Sequence, residues 1–142
     1  MQTFLPYGDF NETAKCLDNK RLGKQRVEAW QIYQIVSGKR TTGGWINHPA
    51  VKMWQGYKNA LSLYYFAMQM EWNKRMYQNT MEPLPITLPV DMPPFIGNDA
   101  FHDSHKSNLL RKAPEFYGLY DWQVPNNLPY IWPSKITGEG EK

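Results

Sequence analysis

Three polar residues, Arg21, Gln25 and Glu28, have the spacing of one helical face and are the first candidates for chemistry in this chain. They are four and three positions apart, so on a helix they share a stripe that continues into two isoleucines. A polar stripe that runs into an apolar one is not wholly exposed to solvent. The stripe could therefore form the wall of an active site, or it could be a structural salt-bridge network in which Asp18 holds Arg21.

Basic residues surround this stripe and suggest a surface for anions. Between positions 15 and 58 there are nine lysines and arginines against two acidic residues, although the net charge of the chain is only +3. Such a one-sided distribution of charge suits the phosphate backbone of a nucleic acid. On the helical wheel Lys20 and Lys24 project to the exposed flank, whereas Arg26 faces the core. An arginine there must find a buried carboxylate or extend along the surface.

The histidines are the other candidate functional residues. His102 and His105 are spaced i, i+3, so their rings could meet one metal ion, with His48 or Cys16 as a third ligand. The spacing is not diagnostic, because a zinc site needs a defined third ligand and surrounding groups that orient the ligands. We therefore expect no metal and no cofactor, and expect both histidines to contact phosphate or cap neighbouring carbonyls. The sequence contains no phosphate-binding glycine-rich loop and no GxSxG motif.

Length and composition favour one domain over residues 1–142. A chain of 142 residues with 42% hydrophobic and 15% aromatic content can bury a core without disulfides. Its single cysteine agrees with a reducing compartment. The most apolar stretch, ALSLYYFAM, is far shorter than the roughly 20 residues of a membrane span. We expect a monomeric cytoplasmic protein of a bacterium or a phage-infected host, without a membrane association.

Hydrophobic periodicity and capping residues predict an all-α fold, a compact helical bundle with about four to five helices. Five prolines between positions 83 and 94 predict a Pro-rich loop over 81–97, and the aromatic segment 113–142 reads as an irregular tail packed on the bundle. The first predicted helix is short, is capped by Asp9 and ends near Leu17, and the second covers Asn19–Val36 and is stopped by Gly38. A third begins at Pro49 and is capped by Asn47 or His48. The last two run from Tyr57 to about Tyr77 and from Asn98 or Asp99 to Lys112.

The order of these features resembles the pyrimidine-dimer DNA glycosylase family of the phage endonuclease V type, of which the chain would be a divergent member. The resemblance covers most of the length. It rests on the following segments in their order and spacing: RLGKQRV, SGKR, HPAVKMWQG, the long helix down to NKRMYQN, and SHKSNLLRKAPEFYG.

The resemblance implies DNA repair on double-stranded, damaged DNA, with a base flipped out of the stack and an N-terminal amine that forms a Schiff base at the sugar. A glutamate would assist this glycosylase and AP-lyase endonuclease chemistry. The candidate catalytic residues are then Met1, Gln2, Glu28, Arg21 and Gln25. The candidate DNA-binding residues are Lys20, Lys24, Arg26, Lys39, Arg40, Asn47, His48, Lys52, His102, His105, Lys106, Arg111 and Lys112.

The chain departs from the family pattern at three positions. The family's glutamate falls on Gly23 in a gap-free comparison, and a family histidine falls on Cys16. Gln2 is too large for ordinary removal of the initiator methionine, so the amine would belong to Met1 unless processing is unusual. Glu28 is the first replacement for the missing carboxylate and Asp18 the second, and we expect Glu28, Arg21 and Gln25 to line a pocket facing the N-terminus.

The departures leave other functions open. The protein could be a DNA- or nucleotide-binding relative that has lost or changed the glycosylase chemistry. A weaker alternative is a metal-dependent nuclease or hydrolase that uses the two histidines of the last helix.

Overall fold

The described part of the chain, residues 2–133, is all-helical in this computed structural model. No strand occurs within that range, which confirms the predicted fold class. The helices are α1 (Phe10–Cys16), α2 (Asn19–Val36), α3 (Pro49–Lys52), α4 (Lys58–Lys74), α5 (Asp99–Lys112) and α6 (Pro114–Tyr117), followed by a 3₁₀ turn at Gly118–Tyr120.

The helix starts follow from local capping. Asp9 accepts hydrogen bonds from the backbone N–H groups of residues 11 and 12, His48 accepts one from Ala50, and Asn98 accepts one from Phe101. Each bond satisfies a donor that the first helical turn would otherwise leave unpaired. Helix α2 ends where predicted, because Gly38 adopts a positive φ of 85° that few other residues tolerate.

The chain divides into two units, which are described separately. The first contains residues 2–3 and 9–93, and the second contains residues 4–8 and 94–133 of the described range. In the first unit α4 packs against α1 and α2, around a core that includes Leu22, Ile32, Trp54 and Leu61, each fully buried. In the second unit α5 carries the buried residues Phe101 and Leu109. The expectation of one domain over 1–142 stays a prediction.

Two helix boundaries differ from those predicted. Helix α4 ends at Lys74, three residues early. The backbone N–H of Arg75 donates to the Glu71 carbonyl and that of Met76 to the Asn73 carbonyl, and Met76 leaves the helix with a φ of 69°. Pro114 begins the one-turn helix α6, in the segment where an irregular tail was predicted. Proline suits the first turn of a helix because that turn needs no N–H donor at this position. Within residues 2–133, no helix combines the length and apolar character needed to cross a bilayer.

Candidate active site

Two side chains of α2 form hydrogen bonds with the backbone of residue 2, one with its N–H and one with its carbonyl. The backbone N–H of Gln2 donates to Oε1 of Glu28 at 2.8 Å, and Nε2 of Gln25 donates to the carbonyl oxygen of Gln2 at 3.0 Å. Gln25 and Glu28 lie three positions apart on one helical face, so the two side chains meet the same residue. Gln25 is buried, whereas Gln2 and Glu28 are half-buried. A carboxylate therefore lies next to the nitrogen of residue 2 at the protein surface.

Arg21, the third member of the predicted stripe, is engaged elsewhere. Its Nη1 lies 3.2 Å from Oδ1 of Asp18, which confirms the predicted ion pair at the start of α2. This pair also occupies Asp18, the second candidate for the missing carboxylate. Of the three stripe residues, Gln25 and Glu28 contact residue 2 directly.

Gly23, where the family glutamate would fall, lies at a close approach between α2 and α4. A Cβ atom built on Gly23 would lie 3.1 and 3.2 Å from two ring atoms of Trp72. That indole is held in place, because the Arg26 guanidinium lies 4.4 Å from its centroid and the Tyr77 ring 4.5 Å from it. A larger residue at position 23 would have to displace Trp72. The carboxylate of this helix that contacts residue 2 is Glu28.

A groove of about 460 Å³ opens beside this carboxylate. Its lining combines cations, an apolar surface and one carboxylate; it includes Lys20, Gly23, Lys24, Val27, Glu28 and Trp72.

Arg26 is buried, with 8% of its surface exposed, and this argues against its predicted contact with DNA. Its Nε donates to Gln69 Oε1 and its Nη2 to Asn79 Oδ1, both at 2.8 Å, and its plane covers Trp72. Burial lowers the pKa of the Arg26 guanidinium. Arg26 adopts neither of the two predicted solutions, a buried carboxylate partner or extension along the surface. Two neutral amide oxygens and an aromatic face satisfy the buried cation instead.

The remaining predicted DNA-binding residues of the first unit are accessible. His48 is half-buried and accepts the capping hydrogen bond of α3 at 3.0 Å. Burial is the largest cause that lowers the pKa of its imidazole, and the Glu28 carboxylate opposes that shift. Glu28 thus acts electrostatically on His48. The exposed members are Lys20, Lys24, Lys39, Arg40, Asn47 and Lys52.

Two of the predicted DNA-binding cations of the second unit contact other residues of that unit. Arg111 donates to the carbonyls of Asn126 and Leu128, and Lys106 lies 5.1 Å from the centroid of Tyr7. Lys112 is exposed.

His102 and His105 are interior residues, so the prediction that they contact phosphate does not agree with the structure. His102 is 6% exposed; its Nδ1 donates to the Leu5 carbonyl at 2.7 Å, and its Nε2 accepts from the Gly97 N–H at 2.8 Å. His105 is fully buried and its Nδ1 accepts from the Leu5 N–H at 2.8 Å. Carbonyl oxygens only accept and backbone N–H groups only donate, which sets the tautomers of both rings. Over residues 2–133 there is no group of three metal-ligating side chains.

The comparison with protein families identifies the chain. The family model for pyrimidine dimer DNA glycosylase matches residues 1–83, more than half of the chain. The chain belongs to the pyrimidine-dimer DNA glycosylase family. The matched segment contains all of α1 to α4 and the contacts between Gln2, Gln25 and Glu28. Comparison with curated proteins and with solved structures gives no match.

Membership of this family of DNA repair glycosylases makes DNA the substrate class. Met1, one of the predicted catalytic residues, lies outside the described residues. Tyr64 and Trp72, both on α4, are not among the predicted site residues. Their contacts with Gln25 and beside Gly23 depend on how α4 packs on α2, and no local pattern signals them.

Proposed function

We propose that the protein is a monomeric DNA glycosylase with associated AP-lyase activity, which cleaves duplex DNA at pyrimidine dimers through an amine at the start of the mature chain. The observation that carries the proposal is the 2.8 Å contact between the residue-2 nitrogen and Glu28. An α-amine has an ordinary pKa near 7.7–8.0, so part of it is unprotonated and nucleophilic at neutral pH. If Met1 is removed, the residue-2 nitrogen is this α-amine and Glu28 is its carboxylate neighbour; if Met1 is retained, the α-amine belongs to the residue that precedes this contact in the chain.

The proposed reaction proceeds in two stages. The amine nitrogen forms a bond to the sugar C1′ and gives up a proton, while the bond from C1′ to the pyrimidine nitrogen breaks and that nitrogen takes up a proton, releasing that end of the damaged base. Opening of the sugar gives a cationic imine, whose positive charge the Glu28 carboxylate stabilises. Loss of a proton from C2′ then expels the 3′-phosphate and cleaves the strand, and water hydrolyses the imine to free the enzyme.

Charge near Glu28 supports DNA as the substrate. Lys20 and Lys24 line the groove next to the carboxylate, and Lys39, Arg40 and Lys52 are exposed in the same unit. Each lysine or arginine that contacts a phosphate releases a condensed counterion, so affinity should fall as salt is added.

Borohydride trapping on an ultraviolet-irradiated duplex tests the chemistry. Borohydride reduces the imine to a stable amine, so we expect a covalent protein–DNA adduct that also forms in the presence of a chelator. Peptide mapping of the adduct will identify whether Met1 or Gln2 carries the sugar, and intact mass will identify the N-terminal residue.

Glu28→Gln tests the carboxylate. Glutamine can still accept the hydrogen bond from residue 2, so the substitution removes the charge and keeps the contact. We expect adduct formation to fall about 100-fold or more, in the range measured for lost electrostatic stabilisation. Glu12→Gln is the control, because Glu12 is exposed and pairs with Lys15 at 3.5 Å. Equal trapping by both variants would remove Glu28 from the mechanism.

The competing function is a DNA-binding relative without the chemistry, and the departure from the family at Gly23 favours it. Binding to irradiated duplex without any adduct would support that reading. Loss of strand cleavage in chelator would support the metal-dependent alternative.

A further inference from the structure

Beneath residues 2 and 3 lies a cluster of three aromatic side chains, Phe10, Trp54 and Tyr64. The Phe10 centroid lies 5.4 Å from that of Tyr64 and 6.3 Å from that of Trp54, and the Trp54 and Tyr64 centroids are 6.0 Å apart. Trp54 and Tyr64 are fully buried. Each also carries a polar group, so a rigid apolar cluster presents two hydrogen-bond donors.

Both donors form hydrogen bonds that connect the cluster to residues 2 and 3. Nε1 of Trp54 donates to Oγ1 of Thr3 at 3.1 Å, and the Tyr64 hydroxyl donates to Oε1 of Gln25 at 2.6 Å. Gln25 in turn donates to the Gln2 carbonyl. The cluster is thus connected to residue 3 directly and to residue 2 through one glutamine.

The groups at the two ends of this network determine the direction of its hydrogen bonds. The Gln2 carbonyl can only accept, so Gln25 must direct its NH₂ group toward it and its amide oxygen toward Tyr64. Tyr64 supplies the O–H that this orientation needs. Gln25 is 1% exposed, which leaves little access for water to replace the tyrosine.

We propose that Tyr64 is a positioning residue, whose hydroxyl orients Gln25 and thereby holds the backbone of residue 2 against Glu28. The inference rests on the proposed function, since it concerns the placement of the reacting amine. Small misplacements of reacting groups cost up to about 100-fold in rate, so loss of this bond should slow the chemistry and leave DNA affinity nearly unchanged.

The neighbouring residue Tyr65 provides a matched control. It lies on the same helix, is 1% exposed, and donates a hydrogen bond of the same 2.6 Å length. Its acceptor, however, is the carbonyl of Glu82 in the Pro-rich loop. A merely structural role predicts similar effects for the two tyrosines, whereas a positioning role predicts an effect on chemistry for Tyr64 alone.

The experiment compares Tyr64→Phe and Tyr65→Phe with the wild type on a duplex containing one pyrimidine dimer. Single-turnover adduct formation with borohydride, the Kd for DNA and the melting temperature are measured for each. We expect Tyr64→Phe to slow adduct formation about 10- to 100-fold with the Kd within about twofold, and Tyr65→Phe to change neither by more than about twofold. Equal adduct rates in the two variants would overturn the proposal. If Tyr64→Phe does not fold, Gln25→Met replaces it, with the same outcomes.

A spectroscopic measurement separates this inference from the proposed function. The ¹³C chemical shift of the Gln2 carbonyl reports its hydrogen bond with Gln25 and needs no activity. We expect the shift to change in Tyr64→Phe and not in Tyr65→Phe. If the wild type forms no adduct, the proposed function fails; an unchanged carbonyl shift in Tyr64→Phe refutes the positioning role itself.

Discussion

The buried pair His102 and His105 makes the stability of the protein depend on pH near 6. Burial is the main cause that lowers the pKa of both imidazoles, and that of His105 lies well below its ordinary value. For His102, Lys106 also lowers the pKa, while the backbone bond to Leu5 and the carboxylates of Asp99 and Asp103 raise it. Protonation of His105 at Nδ1 would break its bond from the Leu5 N–H.

The sign of the pH dependence of stability follows from the lowered pKa values of the two histidines. Below pH 6.5 the unfolded chain binds protons that the folded chain excludes, so stability decreases as the pH falls below the unfolded-state pKa. Between pH 7.5 and 5.5, the protein loses about 1.4 kcal/mol of stability for each histidine that stays neutral in the folded state. His105, whose pKa is the more strongly lowered of the two, carries this prediction. Stability is fully retained above this window.

Urea denaturation at pH 7.5, 6.5 and 5.5 measures this loss. His105→Asn is the informative variant, because its Oδ1 can accept the Leu5 N–H bond and an amide does not titrate. The variant will be less stable at every pH, since it loses ring contacts with Phe101 and Tyr130, whose centroids lie 4.4 and 4.6 Å from that of His105.

The prediction concerns the pH dependence and not the absolute stability. The free energy lost by the variant between pH 7.5 and 5.5 should be about 1.4 kcal/mol smaller than that lost by the wild type. His48→Asn is the comparison, because His48 is partly exposed and should change the dependence less. If His105→Asn loses as much as the wild type, His105 is protonated in the folded state and our reasoning is wrong.

Three further predictions concern the first unit. Asp9→Ala removes the cap of α1 and should destabilise the protein by about 1 kcal/mol in urea denaturation, whereas an effect near zero would show that solvent caps the helix equally well. Gly23→Glu should lower the melting temperature more than Gly23→Ala, because both variants gain helix propensity and place a Cβ atom against Trp72, but only glutamate adds a longer side chain beside that ring. The opposite order would mean that the close approach is easily relieved. Replacing Lys20 and Lys24 with glutamine should reduce the slope of log affinity against log salt by up to about 2 in titrations of duplex DNA, and an unchanged slope would exclude phosphate contacts by these residues.

Much of the helical fold could be predicted because its signals are local. Helix α2 spans the residues expected from its apolar spacing and from Gly38, and α5 follows its Asn98 cap to Lys112. These features depend on residues within a few positions of one another, so a sequence contains them directly. The same is true of the ion pair between Asp18 and Arg21, which are three positions apart.

Tertiary structure decided which side chains meet. From sequence, Arg26 could be assigned to the core side of α2 but not to Gln69, Asn79 and Trp72, which lie 43 to 53 positions away. His102 and His105 looked like surface ligands because helical spacing does not reveal the segment that packs on them. The contact of Gln2 with Glu28 joins residues 26 positions apart, and it exists because the first residues of the chain pack on α2.

The sequence by itself determined the helices, their caps and the supply of cationic side chains, since each depends on near neighbours in the chain. Only the packing of α4 and residues 2–3 on α2 decided that Glu28 accompanies the residue-2 nitrogen, that Gly23 leaves room for Trp72, and that Tyr64 reaches Gln25. The physical reason is that a hydrogen bond between distant residues requires the whole core to bring them within about 3 Å, and no local pattern encodes that distance.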